Sequence, residues 1–215
     1  RDLTPIVGLI ADYGIFVVRQ DDTRENWGHV LQELQSNPRT NTFGGGSVRG
    51  SLDHIVLALA LEAAQIDARK VRYVPYDGGG KAMLALLGGE IDVLSTGLGE
   101  TLSFIQSESV RVLAITAPVR ADAAPDVPTL TELGYPVSFA NWRGLFGPQN
   151  LPKDIKNRHV ERFRELTGSI PWQQVLRTHG WQGLNLFGED FHRYLENQEA
   201  LLRSTMIKLE FLDQL

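Results

Sequence analysis

Residues 71–89 read VRYVPYDGGGKAMLALLGG, from Val71 to Gly89. Val71–Pro75 is a short run of strand type, Asp77-Gly78-Gly79-Gly80 is a glycine turn, and Lys81 to Leu87 has helix spacing until Gly88-Gly89 stops it. The pattern occurs twice more. Phe43 leads through Gly44-Gly45-Gly46-Ser47 into the apolar helix Ser51 to Gln65. Ile91–Leu94 leads through Ser95-Thr96-Gly97-Leu98-Gly99 into a helix near Glu100–Gln106. Strand, glycine turn and helix in alternation predict an α/β fold. Each turn also leaves backbone N–H groups unshielded beside the positive end of a helix dipole, which suits an anion. Three such turns suggest a cleft for a ligand with more than one negative group.

Working outward, Thr4–Leu9 and Ile15–Val18 read as two buried strands. Thr23 to Gln35 places Trp27, Val30, Leu31 and Leu34 on one helix face, and Asn37-Pro38 ends it. Downstream, Arg111–Thr116 is a strand. Pro128-Thr129-Leu130-Thr131-Glu132 is a capping box, with Thr129 as N-cap, Glu132 at the third helical position and Gly134 closing a short helix. Val137 to Phe146 is extended. Beyond Pro148 the pattern predicts helices only: one from Pro152 to about Leu166, one from Pro171 to Gly180, and a long one from Glu189. In that last helix Phe191, Tyr194, Leu195, Leu202 and Leu209 share a face.

Composition narrows the classes. The 215 residues carry 21 Lys plus Arg against 26 Asp plus Glu, a net charge of −5 with no basic run, which argues against nucleic-acid binding. No apolar stretch approaches the length of a membrane span. The absence of cysteine removes disulfides, thiolate catalysis and Cys-ligated metals together, and it fits an exported bacterial protein as well as a cytosolic one. Opening at Arg1, with no Met and no charged-then-apolar leader, the chain reads as processed, trimmed or incomplete.

The glycine turns do not match nucleotide-binding fingerprints. With Gly44 and Gly46 as the first two glycines, the third position is Arg49; with Gly97 and Gly99 it is Leu102; and Lys81 is followed by Ala82 where a phosphate loop needs Ser or Thr. Two readings stand for Ser47 and Ser51: hydroxyl donors to a carboxylate, or N-caps of the following helix. His54 beside Asp53 lacks a nucleophile elbow and reads as a polar contact at the helix start. The other histidines are scattered, no His/Asp/Glu cluster has metal spacing, and no cofactor is expected. Trp142-Arg143 lies between two compositional regions, with a hinge or ligand-facing role and simple packing both open.

Several ordered motifs carry a resemblance. Gly44-Gly45-Gly46-Ser47 with Asp53-His54, Tyr73-Val74-Pro75-Tyr76-Asp77-Gly78-Gly79-Gly80, Leu86-Leu87-Gly88-Gly89-Glu90-Ile91-Asp92-Val93, Ser95-Thr96-Gly97, Pro125-Asp126-Val127-Pro128-Thr129 and Asn141-Trp142-Arg143-Gly144-Leu145-Phe146 together resemble the TctC/Bug family. These are extracytoplasmic solute receptors of tripartite tricarboxylate transporters. The resemblance covers essentially the whole chain and is nearer the tricarboxylate-receptor branch than generic Bug proteins. It implies a two-lobed Venus-flytrap receptor of the type II periplasmic-binding-protein fold, with one lobe complete and the other partial. Residues 1–19 would then be part of lobe one and the first crossing strand, 20–140 the ligand-binding lobe two, and 141–215 the second crossing strand and the C-terminal helices of lobe one. Arg1-Asp2-Leu3-Thr4-Pro5-Ile6 is similar to a point well inside the family's chain, so the family's N-terminal part is expected to be lacking. If it is truly absent, lobe one is expected to expose an apolar, association-prone surface.

The resemblance implies a periplasmic, non-enzymatic protein that captures a citrate-like di- or tricarboxylate and delivers it to the transporter's membrane subunits. Gly45, Gly46 and Ser47, with Ser51 beside them, would hold one carboxylate, and Thr96 with Gly97 another. Tyr76, Asp77 and Gly78 would line the mouth, with Asp77 turned to water or a ligand hydroxyl, and Arg143 would supply a positive charge at the hinge. The alternatives are the effector-binding domain of a LysR-type regulator, which calls for a helix-turn-helix and a basic face, and an enzyme acting on a small carboxylic acid, which calls for a nucleophile–base pair.

Overall fold

The computed structural model describes residues 2–213. These residues build one seven-stranded sheet around the first strand, β1 (Leu3–Arg19). The two strands expected over Thr4–Leu9 and Ile15–Val18 are one. Neighbours pair along its whole length and carry it through the intervening charge and glycine. Its first part pairs antiparallel with β6 (Ala140–Pro148), from Leu3↔Pro148 to Tyr13↔Ala140, and with β7 (Gln182–Phe187). Its last part pairs antiparallel with β4 (Val93–Gly97) and β5 (Val110–Ile115). β2 (Thr42–Gly45) lies parallel to β4, and β3 (Arg72–Pro75) lies parallel to β2 at the sheet's edge.

Strand alternation sorts β1 onto two cores. Phe16 and Val18 face one layer, formed by α1 (Trp27–Ser36) and α2 (Leu52–Ala63). Ile15 and Val17 face the other, formed by α3 (Gly79–Leu87) and α4 (Leu98–Gln106). In the first layer Phe16 stacks on the fully buried Trp27 with ring centroids 4.2 Å apart. The run Ile55 to Leu61 is apolar on every side because α2 is buried on every side.

The remaining helices are α5 (Lys153–Thr167), α6 (Ile170–His179) and α7 (Glu189–Lys208). They sit by the β6–β7 end of the sheet and are thinly buried: α5 buries Val160 and Thr167, and α6 buries Leu176. Leu145, Phe146, Leu166, Ile170 and Val175 are exposed there. The expectation of helices only beyond Pro148 fails at β7, whose pairing with β1 overrides its polar Gln182 and Asn185 and its Gly183.

The capping box forms its reciprocal bonds, Thr129 N–H to Glu132 Oε2 at 2.8 Å and Glu132 N–H to Thr129 Oγ1 at 3.1 Å. It closes a turn and not the expected short helix, because Gly134 takes φ +90° and Tyr135 N–H returns to the Leu130 carbonyl. Thr129 is buried. Thr129→Ala is expected to cost about 1 kcal/mol and lower the melting midpoint by about 2–4 °C, which thermal denaturation followed by circular dichroism would measure.

Candidate functional site

The three glycine turns follow three mutually parallel strands, so they emerge at one edge of the sheet. In open α/β sheets the crevice beyond the carboxyl ends of the strands is where ligands settle. There β1 passes from its β6 partner to its β4 partner, through Asp12↔Asn141 and Gly14↔Gly97. The result is a cavity of about 170 Å³ lined by Asp12, Gly46, Ser47, Leu52, Asp53, Gly78, Gly79, Gly97, Glu100 and Asn141. A larger groove of about 430 Å³ lies elsewhere, between the C-terminal ends of α2 and α7, and touches none of the glycine turns.

Glycine is needed where the turns meet. A Cβ on Gly46 would fall 2.3 Å from the Gly79 nitrogen and 2.5 Å from the Gly78 carbonyl carbon, so the first two turns touch backbone to backbone. Gly78 N–H donates to the Gly46 carbonyl at 3.1 Å, and Gly78 itself takes φ +99°.

Of the expected ligand residues, Gly46, Ser47, Gly78 and Gly97 line this cavity, and Thr96 lines a small recess beside it with Asp12, Asp53 and Gly97. Gly45 is buried behind it, against the Tyr73 hydroxyl and Asp53. Ser51 occupies the N-cap of α2 without a side-chain cap bond and does not line the cavity. Tyr76 and Asp77 also stand off it. The Tyr76 hydroxyl donates to Glu90 at 3.4 Å, while Asp77 is exposed and paired with Lys81 one helical turn on at 2.8 Å. Arg143 lies outside the wall, its guanidinium 5.6 Å from the centre of the Trp181 ring and its Nη1 donating to the Asn141 carbonyl at 3.0 Å. Its neighbour Trp142 packs into an aromatic group with Phe146, Phe191 and Tyr194.

Two of the hydroxyls expected to meet a ligand, those of Ser47 and Thr96, have partners within the fold. Ser47 Oγ accepts from the Asp53 N–H at 3.0 Å and so caps α2 from outside the N-cap position, while its proton serves the Asp53 carboxylate. Thr96 Oγ1 donates to Glu100 Oε2 at 3.0 Å. Glu100 rests against the start of α3, where a Cβ on Gly79 would lie 2.0 Å from its Oε2. Ser47 is also held from behind, its carbonyl accepting from the Tyr73 hydroxyl at 2.8 Å.

The walls are acidic. Burial pushes the Asp53 carboxyl up to about 6 against the hydrogen bonds from Ser47 and the Gly46 amide, and the Glu100 and Asp12 charges add to the rise. Burial also raises Asp12, opposed by the Gly99 N–H, by Arg143 and by a hydrogen bond from Trp181. His54, buried behind this wall 4.7 Å from the Tyr73 ring, is pushed down to about 4 by burial and by Arg49, and is neutral at pH 7. Among the described residues no group of three or more His, Asp or Glu is arranged to hold a metal ion.

Asp12, Leu52, Gly79, Glu100 and Asn141 were not among the residues expected from sequence, and Asp53 was noted only beside His54. Two signals for them were present. Asp12 is the one acid within the 17 residues of β1, and a charge inside an apolar strand needs a local reason. Glu100 directly follows the third glycine turn.

The model of the family described as Tripartite tricarboxylate transporter family receptor matches residues 1–209. Protein BugT of Bordetella pertussis is 37% identical over 165 residues, covering 74% of this chain and 49% of its own length. A UPF0065 protein of Agrobacterium vitis is 29% identical, covering 80% of this chain and 53% of its own. The chain thus spans about half the length of the curated relatives it matches. Among solved structures, a TctC solute-binding protein from Polaromonas superposes with a TM-score of 0.83 at 23% identity, over 96% of this chain and 70% of that one. Two Rhodopseudomonas palustris proteins, Rpa4515 with adipate and MatC with bound malate, give TM-scores of 0.81 and 0.72 at 21% and 22% identity, each over 97% of this chain and 69% and 70% of theirs.

Proposed function

Because this chain belongs to the tripartite tricarboxylate transporter receptor family, we propose that it captures a small di- or tricarboxylate in the cavity beside the three glycine turns. Its fold is the α/β fold of the type II periplasmic binding proteins. The observation that carries the proposal is the convergence of Gly46, Ser47, Gly78, Gly79 and Gly97 on one cavity, where β1 and β6 run side by side as Asp12↔Asn141. Backbone amides at helix starts offer fixed partial charge to a carboxylate without reorganisation, and their bonds to it are charge-assisted.

The acidic walls refine the class. Asp12, Asp53 and Glu100 accept hydrogen bonds and repel negative charge, so they suit a ligand that brings a hydroxyl or an acid proton as well as carboxylates. Malate-like and citrate-like acids meet that demand, and the neighbours solved with malate and adipate support a dicarboxylate. We read residues 20–140 as one lobe, with β1 and β6 as the crossing strands about which closure over the ligand would occur. In this reading the protein is a receptor and not an enzyme, works in the periplasm and passes its cargo to the transporter's membrane subunits. Among the described residues no helix is long and apolar enough to cross a membrane.

Thermal shift tests the assignment. A ligand bound only by the folded state stabilises by mass action, by about 2.7 kcal/mol at a hundred times its dissociation constant. Malate, citrate or adipate is expected to raise the midpoint where sulfate does not, and Ser47→Ala or Thr96→Ala to shrink that rise. An equal rise with sulfate, or none with any carboxylate, would overturn the proposal.

A further inference from the structure

Folding gathers five cations in one place, adding Arg39 and Arg49 to the short stretch Arg69-Lys70-Val71-Arg72. Arg39 in the turn after α1, Arg49 in the loop between β2 and α2, Arg69 and Lys70 in a single 3-10 turn, and Arg72 at the start of β3 line one surface groove of about 230 Å³ with Val71. All five are exposed, and no acidic residue lines the groove. Arg69 is shared with Asp67 and Glu210 at its margin, and Arg49 donates to the Tyr73 carbonyl at 2.9 Å. Among the described residues the side chains of Arg39 and Arg72 have no ion-pair partner. Arg72 opens β3, the end strand of the sheet order, so among the described residues no strand lies beyond it on that side.

Such a concentration is conspicuous in a chain of net charge −5. Like charges held together repel; Lys70 shares the Asp67 carboxylate with Arg69, and among the described residues Arg39 and Arg72 have no acidic partner, so a negatively charged partner would offset them. We propose that the groove is a docking surface for an acidic segment of another polypeptide, laid along the β3 edge. The cations reach the groove from three stretches of chain, at Arg39, at Arg49 and at residues 69–72. A single small anion would meet two or three of them, whereas a string of carboxylates meets them all, with the arginine forks taking carboxylates two bonds at a time. This surface is distinct from the glycine-turn cavity and shares no lining residue with it, so the proposal stands or falls independently of the carboxylate reading.

A fluorescein-labelled peptide of eight aspartates, followed by anisotropy, is the probe. The intact chain is expected to bind it saturably, with affinity falling at least about tenfold as salt rises from 50 to 300 mM. Arg39→Glu/Lys70→Glu/Arg72→Glu is expected to weaken binding at least about tenfold further, while Lys153→Glu/Arg158→Glu/Arg162→Glu, the same charge change on α5, leaves it within about twofold. Melting by circular dichroism confirms that both triple variants fold. Should the first not fold, Lys70→Gln/Arg72→Gln is expected to weaken binding at least about threefold. Equal loss in the α5 variant, complete displacement of the peptide by inorganic phosphate at matched charge, or tighter binding to phosphatidylglycerol vesicles than to the peptide would each overturn the proposal.

Discussion

Gly46→Ala is expected to abolish carboxylate binding while leaving a folded protein of reduced stability. The new methyl group would stand 2.3 to 2.8 Å from the backbone of Gly78 and Gly79, and backbone cannot rotate out of the way as a side chain can. The first two turns would have to part by roughly an ångström, breaking the Gly78 N–H bond to the Gly46 carbonyl. Overpacking of this kind costs about 1–3 kcal/mol. Binding suffers more, because donors displaced by that distance no longer converge on one ligand, and misplacement on this scale costs on the order of a hundredfold. Calorimetry with malate and adipate, beside thermal denaturation, separates the two effects. Unchanged affinity would show that the contact between the first two turns does not shape the site.

The second large effect belongs to Asp53. Its folded carboxyl is raised to about 6 against an ordinary value of 3.8, chiefly by burial. The folded state therefore holds a proton over a range where the unfolded chain has released it, and stability falls as pH rises from about 4 to about 6, levelling off above that. The shift corresponds to about 3 kcal/mol of destabilisation at neutral pH. Asp53→Asn removes the charge but keeps an oxygen to accept from Ser47 and Gly46. Relative to the parent it is expected to gain about 2 kcal/mol at pH 8 and almost nothing at pH 4. Carboxylate affinity should rise about tenfold at pH 8, since one negative wall is gone, and the two proteins should converge near pH 5. Denaturant unfolding and ligand titration across pH 4–8 would measure both. A constant difference between the proteins at every pH would mean that the Asp53 charge does not face the ligand.

Much of the α/β architecture was legible because glycine punctuates it. The three turns after Phe43, Pro75 and Leu94 mark strand ends and helix starts through backbone chemistry alone, and all three elements form. The miss at β7 has the opposite origin: Gln182-Gly183-Leu184-Asn185 carries no strong local preference, and that segment is a strand because β1 offers it an edge. Likewise Ala11-Asp12-Tyr13-Gly14 reads as a break between two strands, whereas β6 and β4 hold it extended.

The candidate site was less legible than the fold. Glycine positions follow from the turns, so Gly46, Gly78 and Gly97 could be named. The hydroxyl partners could not, since whether Ser47 faces a ligand or caps α2 depends on where Asp53 N–H lies, and that is fixed by the helix. The acidic wall is a tertiary product: Asp12, Asp53 and Glu100 are brought together from three separate elements. The basic groove was only partly legible: Arg69-Lys70-Val71-Arg72 is a short basic cluster in the sequence, but that Arg39 and Arg49 join it is a tertiary product.

The central claim is that the ligand binds in this one cavity, against the glycine turns. Titrating malate into the ¹⁵N-labelled chain, and following amide shifts by two-dimensional NMR, tests it most directly. Saturable shifts are expected to concentrate at Gly46, Ser47, Gly78, Gly79 and Gly97, with Asn141 moving and the amides of α5 still. Saturable shifts centred elsewhere, or none at these amides under saturating malate, would contradict it.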